Sequence, residues 1–163
     1  MTRLRTIRAA RPGDEALLLE LIRELAVYER LEQEVVADES LLAKALFGPE
    51  PSAHALIAEY GGEPVGFALY FFNFSTFLGR PGLYLEDLFV REPLRGHGIG
   101  KALLLHLADL AHQRGCGRME WSVLDWNQPA IEFYRSLGSV PMEEWRVFRL
   151  DRRALENLAG RKR

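Results

Sequence analysis

The sequence predicts a mixed α/β domain built around one central sheet. Three observations carry that reading. Strand-like runs at 53–60, 65–72, 83–90 and 118–124 alternate with stretches whose apolar residues recur at helical spacing. A glycine-rich segment, Arg95-Gly96-His97-Gly98-Ile99-Gly100, joins the run at 83–90 to the helical pattern that follows it. The 163 residues hold no linker, repeat or low-complexity segment, so residues 1–163 are expected to form a single domain.

Each element has its own warrant. Residues 3–9 alternate and read as a first strand, with Leu4 and Thr6 on one face and Arg5 and Ile7 on the other. Pro12-Gly13-Asp14 breaks that strand and offers an N-cap. Leu18, Leu21, Ile22 and Leu25 then predict a helix from about Glu15 to about Arg30. A second, short helix follows Asp38 through Leu41, Leu42 and Ala45, and stops at Gly48-Pro49. Residues 53–60 read as a strand, Gly61-Gly62-Glu63 as a hairpin turn, and 65–72 as the returning strand. A loop over 73–82 is expected to lead to the central strand 83–90. Beyond the glycines, Ile99, Leu103, Leu107, Leu110 and Ala111 mark a long helix that ends near Gly115. After the strand at 118–124, Asn127 is a good N-cap and Pro129 sits in a first helical turn, where its missing N–H costs little. That helix carries Ala130, Ile131, Tyr134 and Leu137 and closes at Gly138. A last strand is expected at 145–150, and a terminal helical segment at 152–158.

Composition narrows the function. Net charge is −2, from 21 basic and 23 acidic residues, which argues against general nucleic-acid binding. The Arg161-Lys162-Arg163 end is too short to change that balance. One cysteine, Cys116, excludes an internal disulfide and suits a reducing compartment. No apolar leader and no membrane-length apolar run are present, and a cytoplasmic location is expected. His54, His97, His106 and His112 have no metal-binding spacing, so no metal site is expected.

The glycine segment carries the chemistry. A loop whose N–H groups point into open space at a helix start is a site for a pyrophosphate. Glycine suits it because a Cβ would hold the phosphate oxygens away and disfavour positive φ. Arg95 adds a charge within reach of the same anion. Neither common nucleotide fingerprint fits: Gly100-Lys101 is followed by Ala102, and the glycines are spaced G-x-G-x-G. A glycine-rich turn with no ligand is the plain alternative.

The Arg-x-x-Gly-x-Gly pattern resembles the signature of the GNAT superfamily of acyl-CoA-dependent N-acyltransferases. Leu25-Ala26-Val27-Tyr28-Glu29, Val65-Gly66-Phe67-Ala68-Leu69-Tyr70, Tyr84-Leu85-Glu86-Asp87 and Trp126-Asn127-Gln128-Pro129-Ala130-Ile131-Glu132-Phe133-Tyr134 are similar to the spermidine/spermine (diamine) N-acetyltransferases and the related thialysine acetyltransferase branch. The resemblance implies the GNAT fold: a mixed, mostly antiparallel twisted sheet, flanked by helices and splayed at the acetyl-CoA site. It implies acetyl-CoA as co-substrate, with Arg95, Gly96, His97, Gly98, Ile99, Gly100 and Lys101 at its pyrophosphate. Leu88, Phe89 and Val90 would pair with its pantetheine arm, which enters between the strands 83–90 and 118–124. Asn127, Gln128, Pro129, Ala130 and Tyr134 would complete that cofactor site.

Acetyl transfer to an amine requires a neutral amine, a stabilised oxyanion and a proton for the departing thiolate. Tyr134 can hold that proton at neutral pH, since a phenol titrates near 10, and the matching family tyrosine does so. A core tyrosine bonded to a carbonyl is the alternative. Glu86 lies in an otherwise apolar run, where an ionised carboxylate is expensive to bury. The family's matching glutamate draws the amine proton through a water, and Asp87 would then help hold a cationic substrate. Strand neighbours face opposite ways, so Glu86 and Asp87 should not act as a pair unless a bulge intervenes. A structural ion pair is the alternative for one of the two. Tyr28 and Glu29, with Glu32 and Glu34 beyond, make an acidic aromatic helix end suited to an amine. Glu32 and Glu34 read better as solvated. Trp121, Ser122 and Trp126 flank the expected cleft.

The chain departs from the polyamine enzymes before the central strand, where Asn73-Phe74-Ser75-Thr76-Phe77 replaces an acidic residue and a tryptophan, and Arg80-Pro81-Gly82 adds a residue. The expected acceptor is therefore a primary amine of a polyamine, a diamine or a thialysine-like amino acid, attacked directly in a ternary complex. A protein lysine or N-terminal acetyltransferase and a non-catalytic acyl-CoA-binding module are the alternatives. The resemblance also implies a homodimer.

Overall fold

The structure, a computed structural model, describes residues 5–162; Arg3 and Leu4 of the expected first strand, and Arg163, lie outside them. Five strands form one sheet in the order β1-β2-β3-β4-β5: β1 Arg5–Ala9, β2 His54–Tyr60, β3 Glu63–Ser75, β4 Arg80–Val90 and β5 Arg118–Trp121. The first three pairings are antiparallel and the last, β4 with β5, is parallel. The β2–β3 hairpin turns on Gly61 and Gly62, both at positive φ (63° and 85°), as a two-residue turn matching the strand twist requires.

The expected loop over 73–82 is instead mostly sheet. Asn73, Phe74 and Ser75 pair with Gly82, Pro81 and Arg80, leaving only residues 76–79 to turn. Ser75 tightens that turn, its carbonyl accepting from the Gly79 N–H at 2.9 Å and its hydroxyl from the Leu78 N–H at 3.3 Å. A chain that reverses so sharply keeps both flanks within pairing distance, whatever their strand propensity. Conversely, β5 stops at Trp121 rather than at Leu124, because its ladder with β4 ends at Leu85↔Trp121.

Two helices cover one side of this sheet. Helix α1 (Glu15–Tyr28) and helix α2 (Glu39–Phe47) bury Leu18, Leu21, Leu25, Leu42 and Leu46 against Ile57, Phe67 and Phe89. Removing that much apolar surface from water supplies most of the favourable folding free energy. Asp38 caps α2, accepting from the Leu41 N–H at 2.8 Å. Asp14 does not cap α1 with its side chain. Its carboxylate is taken by the Arg11 N–H and the Arg8 guanidinium, each at 2.8 Å, and these charged partners hold its pKa down. Helix α1 ends at Tyr28, two residues before Arg30. Arg30 adopts φ 61°, so its N–H reaches the Val27 carbonyl and the Leu31 N–H the Ala26 carbonyl, the Schellman closure. Arg91, just past β4, grips α1 through Glu20 and Glu24 and donates to the Pro64 carbonyl. Helix α3 (Ile99–Gln113) buries Ile99, Leu103, Leu104, Leu107 and Ala111 and packs on β2, β3, β4 and β5.

The chain falls into two compact units, the first ending at Leu124 and the second starting at Asp125. The second holds helix α4 (Gln128–Ser136), capped by the Asn127 side chain, and helix α5 (Arg152–Ala159), capped by Asp151. The strand expected at 145–150 does not form, and those residues are exposed. Their alternating pattern satisfies a strand's side chains, but a strand also needs a neighbour for its backbone groups. Among the described residues of the second unit there is no strand to supply one.

Candidate active site

The register of β4 organises the site. Leu69 pairs with Asp87 and Tyr70 with Leu85, so Glu86 is an extra residue opposite nothing: a β-bulge. The bulge the sequence could only name as a condition is present. It breaks the alternation, so Asp87 shares a sheet face with Tyr84, three residues earlier, and with Phe89. That is the face covered by α1. Among the described residues no strand pairs with β4 on its β5 side beyond Leu85, so the backbone from Glu86 to Val90 is an unpaired edge past the end of that ladder. A bulge and a short neighbouring strand thus leave an unpaired edge where the splay is expected.

The bulge separates the two carboxylates by environment. Glu86 is exposed, against the expectation that it would be buried, because an unpaired bulge residue turns out of the ladder. Asp87 is the partly buried one, and among the described residues no hydrogen bond or ion pair holds its carboxylate. Burial, with the nearby charges of Glu86 and Glu29, pushes its pKa up to about 7. Glu29, at the C-cap of α1, is itself raised by burial. Asp87 and Glu29 thus form an acidic patch, within which a cation would relieve the mutual repulsion. Tyr84 stacks on Phe71 with ring centroids 5.1 Å apart, and its hydroxyl is 2.9 Å from that of Ser122. Phe71 is among the aromatics that the sequence places near the acceptor mouth; Tyr84 has no role on sequence alone, since strict alternation from Asp87 puts it on the wrong face. Trp121 closes the parallel ladder and is partly buried; Ser122, the next residue, is exposed. Glu32 and Glu34, in a short 3-10 turn, are exposed, as expected.

The glycine loop follows a 3-10 turn at Glu92–Leu94. Gly96 and Gly98 take φ of 81° and 74°, a conformation glycine adopts without steric cost. A Cβ on Gly96 would meet nothing within 4 Å, so the loop faces open space. Gly98 occupies the N-cap of α3, and no side chain caps that helix. The first N–H groups of a helix have no partner within it, which leaves those of α3 for an anion. Ala102 is the first to bond back, to the Gly98 carbonyl at 3.0 Å. Arg5 braces the loop from behind, 3.2 Å from the Gly98 carbonyl and 3.4 Å from that of His97. His97 packs its ring on Tyr60 and its Nδ1 lies 3.1 Å from the Leu94 carbonyl. Arg95 turns away from the loop mouth. Its Nε donates to the Val90 carbonyl at 3.0 Å and its guanidinium lies 4.5 Å from the centre of the Tyr28 ring. Leu88, Phe89 and Val90 run along the open edge into this loop, and Lys101 is exposed on the first turn of α3. An open glycine loop, an uncapped helix and a strand edge with no paired strand, its Val90 carbonyl alone taken by Arg95, follow one another in sequence and fit a long ligand with a pyrophosphate and an amide-bearing arm.

In the second unit, Asn127 is buried and its Oδ1 accepts from the Ala130 N–H at 3.4 Å, the helix cap that its type predicts. Gln128 and Pro129 are exposed at the helix start and Ala130 is partly buried. Tyr134 is partly buried on the last turn of α4, its ring 5.6 Å from that of Phe133. Its carbonyl is held by the Ser139 hydroxyl at 2.6 Å. Among the described residues no cluster of His, Cys, Asp or Glu could hold a metal ion. No described helix is long and apolar enough to cross a membrane.

Comparison with known proteins fits this geometry. Residues 18–138 match the Acetyltransferase (GNAT) family, a stretch that runs across the boundary between the two compact units. Thialysine N-epsilon-acetyltransferase of Bos taurus is 41% identical, covering 95% of this chain and 97% of its own length. L-ornithine N5-acetyltransferase of Arabidopsis thaliana is 34% identical over 92% of this chain and 86% of its own. Human spermidine/spermine N(1)-acetyltransferase-like protein 1 is 35% identical over 94% of this chain, which spans 23% of that longer protein. With its bulged central strand, its open edge and its glycine loop at the start of α3, the chain belongs to the GNAT family of acetyltransferases.

Proposed function

We propose that this acetyltransferase moves the acetyl group of acetyl-CoA onto a primary amine of a small molecule, either a thialysine- or ornithine-like amino acid or a short polyamine. The carrying observation is the β4 bulge. On one side it leaves the strand edge that runs into the glycine loop; on the other it sets Asp87 beside Glu29, an acidic patch suited to an ammonium group. Gly96 to Lys101 bind the pyrophosphate through backbone N–H groups, and Leu88 to Val90 pair with the pantetheine arm. Asn127, Gln128, Pro129 and Ala130 at the start of α4 also serve the cofactor. The amine attacks directly. Glu86, exposed on the bulge, accepts its proton through a water, and Tyr134 supplies the proton that the departing thiolate takes. Asp87 and Glu29 hold the cationic substrate between Tyr28, Trp121 and Ser122.

The small aromatic surroundings of the patch, Phe71 and Tyr84, favour a compact acceptor over a polypeptide. We propose further that the protein works as a homodimer in the cytoplasm. Val140, Met142, Trp145, Val147, Phe148 and Leu150 are all exposed along one segment of the second unit, and an apolar run of that kind suits a protein–protein contact. Light scattering on the purified protein measures the oligomeric state. The test of function is the initial rate of CoA release from acetyl-CoA with thialysine, ornithine, lysine, putrescine, spermidine and a lysine peptide. Turnover confined to small amines is expected. Turnover of the peptide alone would assign it to protein acetylation, and tight acetyl-CoA binding without turnover would make it a binding module.

A further inference from the structure

Arg95 heads the glycine loop, yet its side chain makes three contacts that lead elsewhere. Its Nε donates to the carbonyl of Val90, the last residue of β4, at 3.0 Å. Its guanidinium lies over the Tyr28 ring at 4.5 Å and over the Phe89 ring at 5.6 Å. Tyr28 is the last residue of α1, and the next residue, Glu29, is one wall of the acidic patch around Asp87. The chain at that point is a helix end closed by a left-handed arginine, not a continuous helix, so its orientation depends on what grips Tyr28. A planar guanidinium lying over two rings and pinned at Nε is an orienting contact that a lysine would not reproduce.

We propose that Arg95 is a positioning residue that couples the glycine loop to the amine site, by clamping Tyr28 and so setting Glu29 opposite Asp87. This rests on the acetyltransferase reading above. Occupation of the loop fixes the backbone of Arg95, the stacked guanidinium fixes Tyr28, and the end of α1 becomes ordered for the amine. By linkage, bound amine tightens the cofactor to the same degree.

Hydrogen exchange of the α1 end gives a readout that needs no turnover. Addition of CoA to the wild-type protein is expected to slow exchange of the amides of Val27 to Leu31 at least threefold, and to leave them unchanged in Arg95→Ala. Equal protection in both proteins, or none in either, overturns the proposal. In kinetics, Arg95→Ala is expected to raise the amine KM about fivefold while the Kd of acetyl-CoA moves less than twofold, with Arg95→Lys no better than alanine. A direct anion ligand behaves oppositely: Arg95→Ala weakens acetyl-CoA, spares the amine KM and is rescued by lysine. Should Arg95→Ala fail to fold, Tyr28 carries the test, with Tyr28→Ala reproducing the lost protection and Tyr28→Phe retaining it. Where both fold, the double variant is expected to be no worse than either single, and additive losses refute the clamp. Absence of turnover with every amine would count against the acetyltransferase reading, whereas the exchange result judges the clamp alone.

Discussion

Replacing Asp87 by asparagine tests the electrostatics of the bulge directly. The folded protein holds the Asp87 proton to about pH 7, against 3.8 for an ordinary aspartate. A carboxyl whose pKa is raised by folding favours the folded state at low pH and costs stability as pH rises from about 4 to about 7. Integrated between pH 5 and pH 8, the loss is about 2.5 kcal/mol, out of about 4 kcal/mol for complete ionisation. Asparagine keeps the shape and cannot ionise. The stability of Asp87→Asn relative to wild type should therefore grow by about 2.5 kcal/mol between pH 5 and pH 8. Urea unfolding of both proteins at the two pH values measures that difference, and groups titrating elsewhere cancel from it. The same ionisation governs binding. The amine KM of the wild type should fall as pH passes 7, as the carboxylate becomes available to an ammonium group, and the variant should show a raised KM without that step. A stability difference that is the same at pH 5 and pH 8 would refute the reasoning, since it would mean that neither burial nor Glu29 and Glu86 act on Asp87.

Other substitutions separate the remaining roles. Tyr134→Phe removes one hydroxyl from a partly buried ring, and should lower kcat by about 100-fold or more with acetyl-CoA affinity unchanged, read from initial rates and calorimetry. Glu86→Gln leaves the exposed bulge intact, and is expected to lower kcat at least tenfold without lowering the melting temperature. Gly98→Ala puts a Cβ on a residue at φ 74°, 3.1 Å from the Arg5 Nη1. It should cost about 1 kcal/mol in urea unfolding and weaken acetyl-CoA several-fold, because the loop loses the backbone turn that aims its N–H groups.

Local chemistry is legible in one dimension, and the caps show it. Asp38 and Asn127 hold the N–H groups that their positions before apolar-periodic runs imply. Gly61 and Gly62 turn the hairpin because positive φ is a property of the residue. Asp14 has the same cap signal but is taken by Arg8, which reaches it from β1. Residues 73–82 look like a loop because Pro81, Gly82 and the polar Asn73, Ser75 and Thr76 disfavour strands, yet their pairing is imposed by the tight turn between them. Residues 145–150 fail the other way: strand-like side chains, with no strand among the described residues of their own unit to pair with.

The sequence by itself determined the element order as far as α4, the glycine loop and the family, because helix periodicity, capping and positive-φ turns are fixed by residues close together in the chain. It also named the carboxylates and the tyrosine on which the proposed chemistry rests. Tertiary structure alone decided which carboxylate is buried and which is exposed. A bulge is a mismatch in length between two paired strands, so no single segment encodes it, and its one extra residue turns Glu86 outward and sets Asp87 on the face of α1 with Tyr84. It also decided that Arg95 lies over Tyr28, 67 positions away in the chain, since a guanidinium finds an aromatic face only after the helix and the loop have been brought together.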